Sequence, residues 1–491
     1  MLFTEPTFLF LFFPLLLWLY WGCPSSLRNG VLALASLIFY AWGEKEYTII
    51  ILVSILLNYL VGLAVAPQLS PTVRKTALIL GVVANLGLLA FFKYANFFVD
   101  NLNALLIPLG SAPIELAPIH LPIGISFFTF QSMSYVIDVY RGHAGIQKNL
   151  LNLGLYVSLF PQLIAGPIVR YESIASQIAN RFTNVILFAS GVRRFIIGLG
   201  KKMIIANAVA YPADQIFSLP SDELTTSLAW LGIICYTLQI YFDFSGYSDM
   251  AIGLGRMFGF EFLENFRYPY ISRSVTDFWR RWHISLSTWF RDYLYIPLGG
   301  NRISQGRTYF NLVSVFFLCG LWHGANWGFV VWGLYHGAFL VVERAGFRKI
   351  LEKTIPLVQH LYAMIIVMIG WVFFRVATGP HNHENLLGYA LNYCGAMLGI
   401  NNGSNSPRSV AEYFNPYLLI IILIGILGAT PFYQWIRSTP SQYLQKQDKP
   451  LKSKWYSIGA TLMMCYLLSV LLYSILLIAS DSYNPFIYFQ F

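Results

Sequence analysis

The sequence predicts an all-α polytopic membrane protein, a bundle of about 11 to 13 transmembrane helices with re-entrant or interfacial helices around a central tunnel. Apolar residues make up 57% of the 491 residues, charged residues only 11%, and the mean hydropathy is +0.59. An ordinary soluble domain carries about 25% charged residues. So few charges do not hydrate the surface of a soluble globule, which excludes soluble, disordered and secreted disulfide-rich classes.

The predicted helices follow from apolar runs, since a bilayer core needs about 20 apolar residues per helix. Runs that approach this length cover 7–21, 29–42, 46–66, 76–93, 121–140, 150–166, 186–210, 226–242, 308–322, 325–343, 355–376, 384–400, 416–437 and 456–480. Some are too short or too polar to cross fully. The first run has no Lys or Arg before it, so we interpret it as a retained span and not as a cleaved signal peptide.

Loop charges predict the orientation of these helices. Arg74 and Lys75 follow the third run, whereas the stretch 94–120 has neither Lys nor Arg. Because positive residues concentrate on the cytoplasmic side, this pattern places the N-terminus outside and the 67–75 loop inside. We also predict that the polar loops 401–409 and 438–454 are the joints that separate a long N-terminal core from a C-terminal pair of helices.

The chain has no internal repeat of fixed period, and we interpret residues 1–491 as one transmembrane domain. Its core spans about 1–376, and a C-terminal helical extension spans about 377–491.

The net charge of +10 raises the question of nucleic acid, but Lys and Arg lie in the short gaps between apolar runs, as expected beside membrane lipid. We therefore expect no nucleic-acid partner. The five cysteines form no CxxC pair and show no zinc spacing, so we also expect no metal site.

The segment 265–302 contains six arginines and no lysine, together with the two acidic residues Asp277 and Asp292. We expect an interfacial or re-entrant helix on which Asp277 neighbours Arg280 and Arg281, with His283 on the side of Arg280. Guanidinium forms forked contacts with phosphate, so the segment suits a donor that carries a diphosphate or a phosphopantetheine arm. The alternative is that the arginines and aromatic residues of this segment bind lipid headgroups.

Glycines recur every four residues in the segment 318–337, at a spacing that lets helices approach closely in lipid. His323 lies beside this stripe, with Trp322 and Trp327 as neighbours. Such a histidine is either a packing group or a reactive base. Cys319, four residues earlier, offers a thiol–imidazole pair as a further alternative, and His336 would point away from His323 on one straight helix.

Acidic residues lie within the apolar segment 241–260, where Asp243 and Asp249 either offset nearby arginines or orient a base, with purely structural salt bridges as the alternative. The glycines of this segment do not fit the dinucleotide fingerprint, and no strand precedes them. We therefore exclude a Rossmann site.

The motifs DFWRRWHISLSTWFRDYLYIPLGGNR, GLWHGANW, SGYSDMAIG and the terminal NPFIYFQF closely resemble the membrane-bound O-acyltransferase (MBOAT) superfamily, and within it the bacterial alginate O-acetyltransferase branch. This resemblance covers nearly the whole chain. It implies a tunnel that a donor enters from the cytoplasm and an acceptor enters from outside. By motif, His323 matches the histidine held to be catalytic, which would act as general base or as a transient acyl carrier. His283 matches the second signature position and, with Arg280 and Arg281, would position the donor or assist proton movement.

The resemblance further implies an enzyme of the bacterial inner membrane with no bound cofactor. Its acyl donor would be acetyl-CoA or an acyl carrier thioester, and its final acceptor a polysaccharide such as alginate, reached by relay to a periplasmic partner resembling an SGNH-type esterase. Arg280, Arg281, Asp277, Asp243, Trp322 and Trp327 would bind the donor or substrate. Peptidoglycan O-acetylation and D-alanyl transfer to teichoic acid remain alternatives.

Two interpretations from other classes also remain. A transporter or flippase would use discontinuous glycine-rich helices with buried charges, but it predicts two matching halves, whereas the charged motifs occur once, at 241–337. A scaffold that only anchors the partner predicts that neither His283 nor His323 matters for the product.

Overall fold

The computed structural model describes residues 1–379, 385–400, 407–432, 452–480 and 483–485, with the backbone alone for 452–458. Every regular element in these ranges is a helix, and no strand occurs there, which confirms the all-α class. Both predicted joints lie largely outside the described residues, as do His381, His383 and most of the terminal motif.

The first half of the chain contains α1 (Phe13–Gly22), α2 (Arg28–Glu44), α3 (Thr48–Ala64), α4 (Pro71–Leu106), α5 (Ile125–Arg141), α6 (Leu150–Ser158), α7 (Phe160–Leu163), α8 (Tyr171–Ala179), α9 (Val185–Gly200), α10 (Asn207–Phe217) and α11 (Thr226–Met257). The second half contains α12 (Val275–Arg281), α13 (Ile284–Phe290), α14 (Gln305–His323), α15 (Trp327–Val342), α16 (Arg348–Leu351), α17 (Pro356–Thr378), α18 (Leu386–Met397), α19 (Val410–Tyr413), α20 (Pro416–Gly428) and α21 (Lys452–Ala479).

Five helical stretches of the described residues are long and apolar enough to cross a membrane, which confirms a multi-pass membrane protein. They cover Ser25–Ala64, Pro71–Leu109, Thr226–Met257, Pro356–Thr378 and Gly459–Ala479. Shorter apolar helices such as α20 add to them. The predicted 11 to 13 crossings and the central tunnel stay predictions.

Contacts within the chain group into two compact units. Unit 1 comprises Met1–Val192 and Met250–Leu263, and unit 2 comprises Arg193–Asp249 and Glu264–Phe491. The predicted single domain, with a core to about 376, stays a prediction.

Unit 1 combines an aromatic core with a polar contact between helices. Phe3, Phe8, Phe39 and Phe160 are fully buried against one another. Asn58 of α3 and Asn85 of α4 exchange hydrogen bonds of 3.0 and 2.8 Å between their amides. In an apolar surrounding such a pair satisfies both side chains and joins the two helices.

Unit 2 contains the two predicted signature segments, and its helices begin where the sequence supplies caps. Ser274 accepts a hydrogen bond from the Asp277 N–H at the start of α12, and Ser304 accepts one from the Arg307 N–H at the start of α14. Asn326 accepts the Gly328 N–H at the start of α15.

The predicted close approach of glycine-bearing helices is confirmed between α14 and α15. A Cβ at Gly320 would lie 2.3 Å from the Phe329 carbonyl oxygen, and one at Gly333 would lie 2.2 Å from the Phe316 carbonyl oxygen. Only glycine fits at these two positions.

Glu343, at the end of α15, holds the start of α12. This buried carboxylate accepts hydrogen bonds from the Val275 N–H at 2.7 Å, the Thr276 N–H at 3.0 Å and the Thr276 hydroxyl at 2.6 Å. A carboxylate suits this place because the first N–H groups of a helix have no partner within the helix.

Replacing Glu343 with Ala should lower the stability of the protein by about 2–4 kcal/mol, because the buried Val275 N–H and the part-buried Thr276 N–H lose their carboxylate acceptor. The measurement is the apparent melting temperature in detergent micelles. Glu352→Ala is the control: it removes an exposed carboxylate that pairs with Arg348, and it should change stability by no more than about 0.5 kcal/mol. Equal melting temperatures for the two variants would contradict this role of Glu343.

Candidate functional site

His323 is the last residue of α14 and is only 5% exposed. The helix stops there because Gly324 is extended, and α15 begins three residues later at Trp327 under the Asn326 cap. The short turn and the glycine contacts place the imidazole inside unit 2.

Aromatic rings surround the His323 imidazole. The ring centroids of Trp322, Trp332 and Phe374 lie 5.0, 5.1 and 5.2 Å from it, all nearly perpendicular, and Phe329 lies at 6.4 Å. We name these four rings and the imidazole the aromatic cluster. It draws on α14, α15 and α17 and leaves only 5% of His323 exposed. The predicted passages to His323 stay predictions.

His336 lies closer to this site than a straight helix would allow. Its ring centroid is 5.3 Å from that of Trp332, which itself contacts His323. The prediction that His336 points away from His323 assumed that one straight helix carries both residues. Because the chain breaks between α14 and α15, that assumption does not hold. His336 is fully buried and its Nε2 lies against Gly370 of α17, as expected for a packing group.

His283 separates α12 from α13. Its backbone is left-handed, with φ 44° and ψ 54°, a conformation that costs a residue with a side chain roughly 1–2 kcal/mol. The continuous helix that we expected to place His283 beside Arg280 is therefore wrong, since α12 ends at Arg281. A hydrogen bond of 2.9 Å from the Ile284 N–H to the Asn265 carbonyl holds the turn.

The side chain of His283 is buried, at 1% exposure. Its Nδ1 lies 3.1 Å from Asn265 Oδ1, and its ring contacts Phe244 of α11 at 4.7 Å and Trp322 at 6.2 Å. Trp322 therefore contacts both predicted histidines. Burial lowers the pKa of His283 from 6.5 to about 3, so the imidazole is neutral in the folded protein.

The arginines of α12 differ in their partners. Arg281 pairs with Asp277 at 2.9 Å, as predicted. Arg280 does not pair with Asp277; it lines a cavity of about 200 Å³ together with Asp277, Arg273 and Arg348. Within the described residues Arg273 and Arg280 have neither an ion pair nor a hydrogen bond, whereas Arg348 pairs with Glu352 at 2.8 Å. We name this cavity the arginine pocket.

Two predicted site residues lie elsewhere. Trp327 is 58% exposed at the start of α15. Asp243 forms a buried ion pair with Lys202 at 2.7 Å, the two side chains being 2% and 3% exposed. Asp249 pairs with Lys201 and Arg194. From the sequence we expected nearby arginines as the partners of these two carboxylates. The lysine partners, Lys201 and Lys202, were not expected.

Sequence reasoning missed Asn265, Arg273 and Arg348. Asn265 and Arg273 lie in the arginine-rich segment. Only the folding of the loop before α12 places Asn265 beside His283 and Arg273 at the arginine pocket. Arg348 lies 68 residues after Arg280 in the chain, and only the fold brings it to the arginine pocket.

Asp138, His143 and Glu172 of unit 1 place one possible metal-ligand atom each within 4.8 Å of one another. Arg170 pairs with Glu172 at 3.1 Å. The expectation that the chain has no metal site stays a prediction.

The family model of the MBOAT, membrane-bound O-acyltransferase family, matches residues 40–378. The match contains both histidines, the arginine pocket and the aromatic cluster.

Some relatives align over the whole chain and others over part of it. A protein named "Probable alginate O-acetylase AlgI" from Azotobacter vinelandii is 43% identical over 509 residues, covering 100% of both chains. A peptidoglycan O-acetyltransferase from Helicobacter pylori is 35% identical over 100% of this chain and 98% of its own. A teichoic acid D-alanyltransferase from Bacillus subtilis is 30% identical over 44% of this chain and 58% of its own.

Acid should destabilise the protein through His283. Since the folded pKa is about 3 and the ordinary value is 6.5, the unfolded chain binds a proton that the folded chain does not, and stability falls as the pH falls below 6.5. The melting temperature of His283→Phe should therefore fall less than that of the parent between pH 7.5 and pH 5. His360→Phe, at a half-buried position, should behave like the parent, and identical pH slopes for all three proteins would refute this assignment.

Proposed function

Because this chain belongs to the membrane-bound O-acyltransferase family, we propose that it moves an acetyl group from a cytoplasmic thioester across the membrane for O-acetylation of an extracytoplasmic polysaccharide such as alginate. The chain is an O-acyltransferase and a multi-pass membrane protein. Full-length similarity to alginate O-acetylases supports the acetyl group and the polymer. We assign the protein to the bacterial inner membrane.

Peptidoglycan O-acetylation is the second candidate, supported by a full-length relative at lower identity. D-alanyl transfer has weaker support, because the teichoic acid relative aligns with less than half of this chain. A transporter would not need a buried imidazole among aromatic rings.

The observation that carries the proposal is the enclosure of the His323 imidazole in the aromatic cluster. As general base, His323 takes the proton of the acceptor hydroxyl while the hydroxyl oxygen attacks the thioester carbonyl carbon. The C–S bond then breaks, and the proton passes from the imidazole to the leaving thiolate. Exclusion of water at this site protects the thioester from hydrolysis.

We assign the arginine pocket to the donor, which is acetyl-CoA or an acyl carrier thioester. Both donors carry phosphate, and guanidinium groups bind phosphate through forked hydrogen bonds. Arg273 and Arg280 are available for this because neither is paired within the described residues. We assign no bound cofactor.

We further propose relay of the acetyl group to a periplasmic partner resembling an SGNH-type esterase, which would then modify the polymer. The support is the resemblance of the whole chain to the alginate branch.

Replacing His323 with Ala should reduce acetyl transfer by about 10²–10⁴-fold, because the reaction loses its base. The measurement is transfer of labelled acetyl from the thioester by purified protein in detergent. The control is His360→Ala, which removes a half-buried imidazole and should retain activity. Retained transfer in a well-folded His323→Ala protein would refute the base assignment, and absence of transfer by the parent would favour a transporter.

Replacing Arg273 and Arg280 together with Ala should raise the KM for the donor at least about tenfold and change kcat little, because the lost contacts bind ground state and transition state alike. Arg281→Ala is the matched control on the same helix, since Arg281 pairs with Asp277 and does not line the pocket. An unchanged KM in the double variant would contradict the donor assignment.

A further inference from the structure

The Asn265 amide is the centre of a buried hydrogen-bond network beside His283. Asn265 is 1% exposed, in the loop between α11 and α12. Its Oδ1 accepts hydrogen bonds from the Ser285 hydroxyl at 2.9 Å and the Ser285 N–H at 3.3 Å, and its Nδ2 donates to the Ser248 hydroxyl at 3.1 Å. The amide is therefore held from both α11 and α13.

This network determines which way the amide faces. A backbone N–H can only donate, so the Asn265 atom that faces the Ser285 N–H is the carbonyl oxygen. The same oxygen lies 3.1 Å from His283 Nδ1. Two acceptors do not form a hydrogen bond with each other, so Nδ1 carries the proton. In a neutral imidazole the other nitrogen, Nε2, is then an acceptor only.

His283 Nε2 has no hydrogen-bond partner within the described residues, although it is buried. Leaving a buried acceptor without a hydrogen bond costs about 1–3 kcal/mol, and such unpaired polar atoms are rare in folded proteins. The imidazole contacts two aromatic rings, Phe244 at 4.7 Å and Trp322 at 6.2 Å between ring centroids, and Trp322 also contacts His323 at 5.0 Å. The imidazole of His283 is therefore next to the aromatic cluster through Trp322.

We propose that Asn265 is a positioning residue that holds His283 as the Nδ1–H tautomer, so that Nε2 accepts a hydrogen bond from an O–H or N–H group of a reactant. This inference rests on the proposed acyl transfer at His323. It implies that His283 does not donate a hydrogen bond to the thioester carbonyl, since its only proton is committed to Asn265.

Charged groups do not compete for this role. The side chains in contact with His283 are uncharged: Phe244, Asn265, Ser285 and Trp322. The two carboxylates of the neighbouring α11 are ion-paired elsewhere, Asp243 with Lys202 and Asp249 with Lys201 and Arg194. In the loop, Glu264 pairs with Arg194, and Glu261 and Arg267 are exposed. On the preceding α12, Arg281 pairs with Asp277 and the exposed Arg280 lines the arginine pocket. On α14, the ring of His323 contacts Trp322, which also contacts His283.

Asn265→Asp tests the proposal, because it keeps the acceptor oxygen and adds a negative charge beside Nδ1. The charge favours the protonated imidazole, which places a proton on Nε2 and turns the acceptor into a donor. We expect kcat of this variant to fall at least about tenfold more than kcat of the parent between pH 8 and pH 6. Ser287→Ala is the control, because the Ser287 hydroxyl of α13 donates to the Trp282 carbonyl and belongs to no contact of Asn265 or His283 given above; this variant should keep the pH profile of the parent.

A pH profile of Asn265→Asp that parallels the parent overturns the inference. If Asn265→Asp does not fold, the parent gives the answer: NMR of protein labelled with ¹⁵N-histidine, compared with His283→Phe, should assign an unprotonated Nε2 to His283, and a protonated Nε2 overturns the inference. The two claims fail separately: a parent protein without transfer activity would refute the proposed function, and an active His323→Ala variant would refute the base at His323, whereas the tautomer of His283 read by NMR decides this inference without turnover.

Discussion

The glycine-mediated contact between α14 and α15 is the constraint on which the site depends. Gly320 and Gly333 lie so close to the backbone of the opposite helix that a single added carbon would separate the two helices. This contact brings Phe329 and Trp332 of α15 to the imidazole at the end of α14. In lipid, where the hydrophobic effect does not drive helices together, such close packing and polar contacts stabilise the arrangement.

The short helix α12 joins the arginine pocket to the rings around the histidines. Its charged face carries Arg280, and its apolar face places Trp279 5.6 Å from Trp332 and 5.2 Å from His336. Glu343 of the segment after α15 holds the first turn of this helix. A donor anchored at the pocket and a base in the cluster would therefore be supported by the same elements of unit 2.

Local patterns in the sequence predicted the parts of the site that neighbouring residues determine. The glycine spacing predicted close helix packing, and the four-residue separation of Asp277 and Arg281 predicted their ion pair. The patterns failed where distant residues decide. The pairing of Asp243 with Lys202 and the left-handed turn at His283 both depend on tertiary contacts. Helical periodicity alone carries no sign of either.

Acyl transfer at His323 requires that reactants reach the imidazole although aromatic rings enclose it. Labelling of the purified protein with diethyl pyrocarbonate, read at each histidine by peptide mass spectrometry, tests this access, with the half-buried His360 as the reference. We expect that His323 is modified and that an added acetyl thioester protects it while His360 stays reactive. A His323 that remains unmodified while His360 is fully labelled, with and without the thioester, would contradict acyl transfer at this histidine.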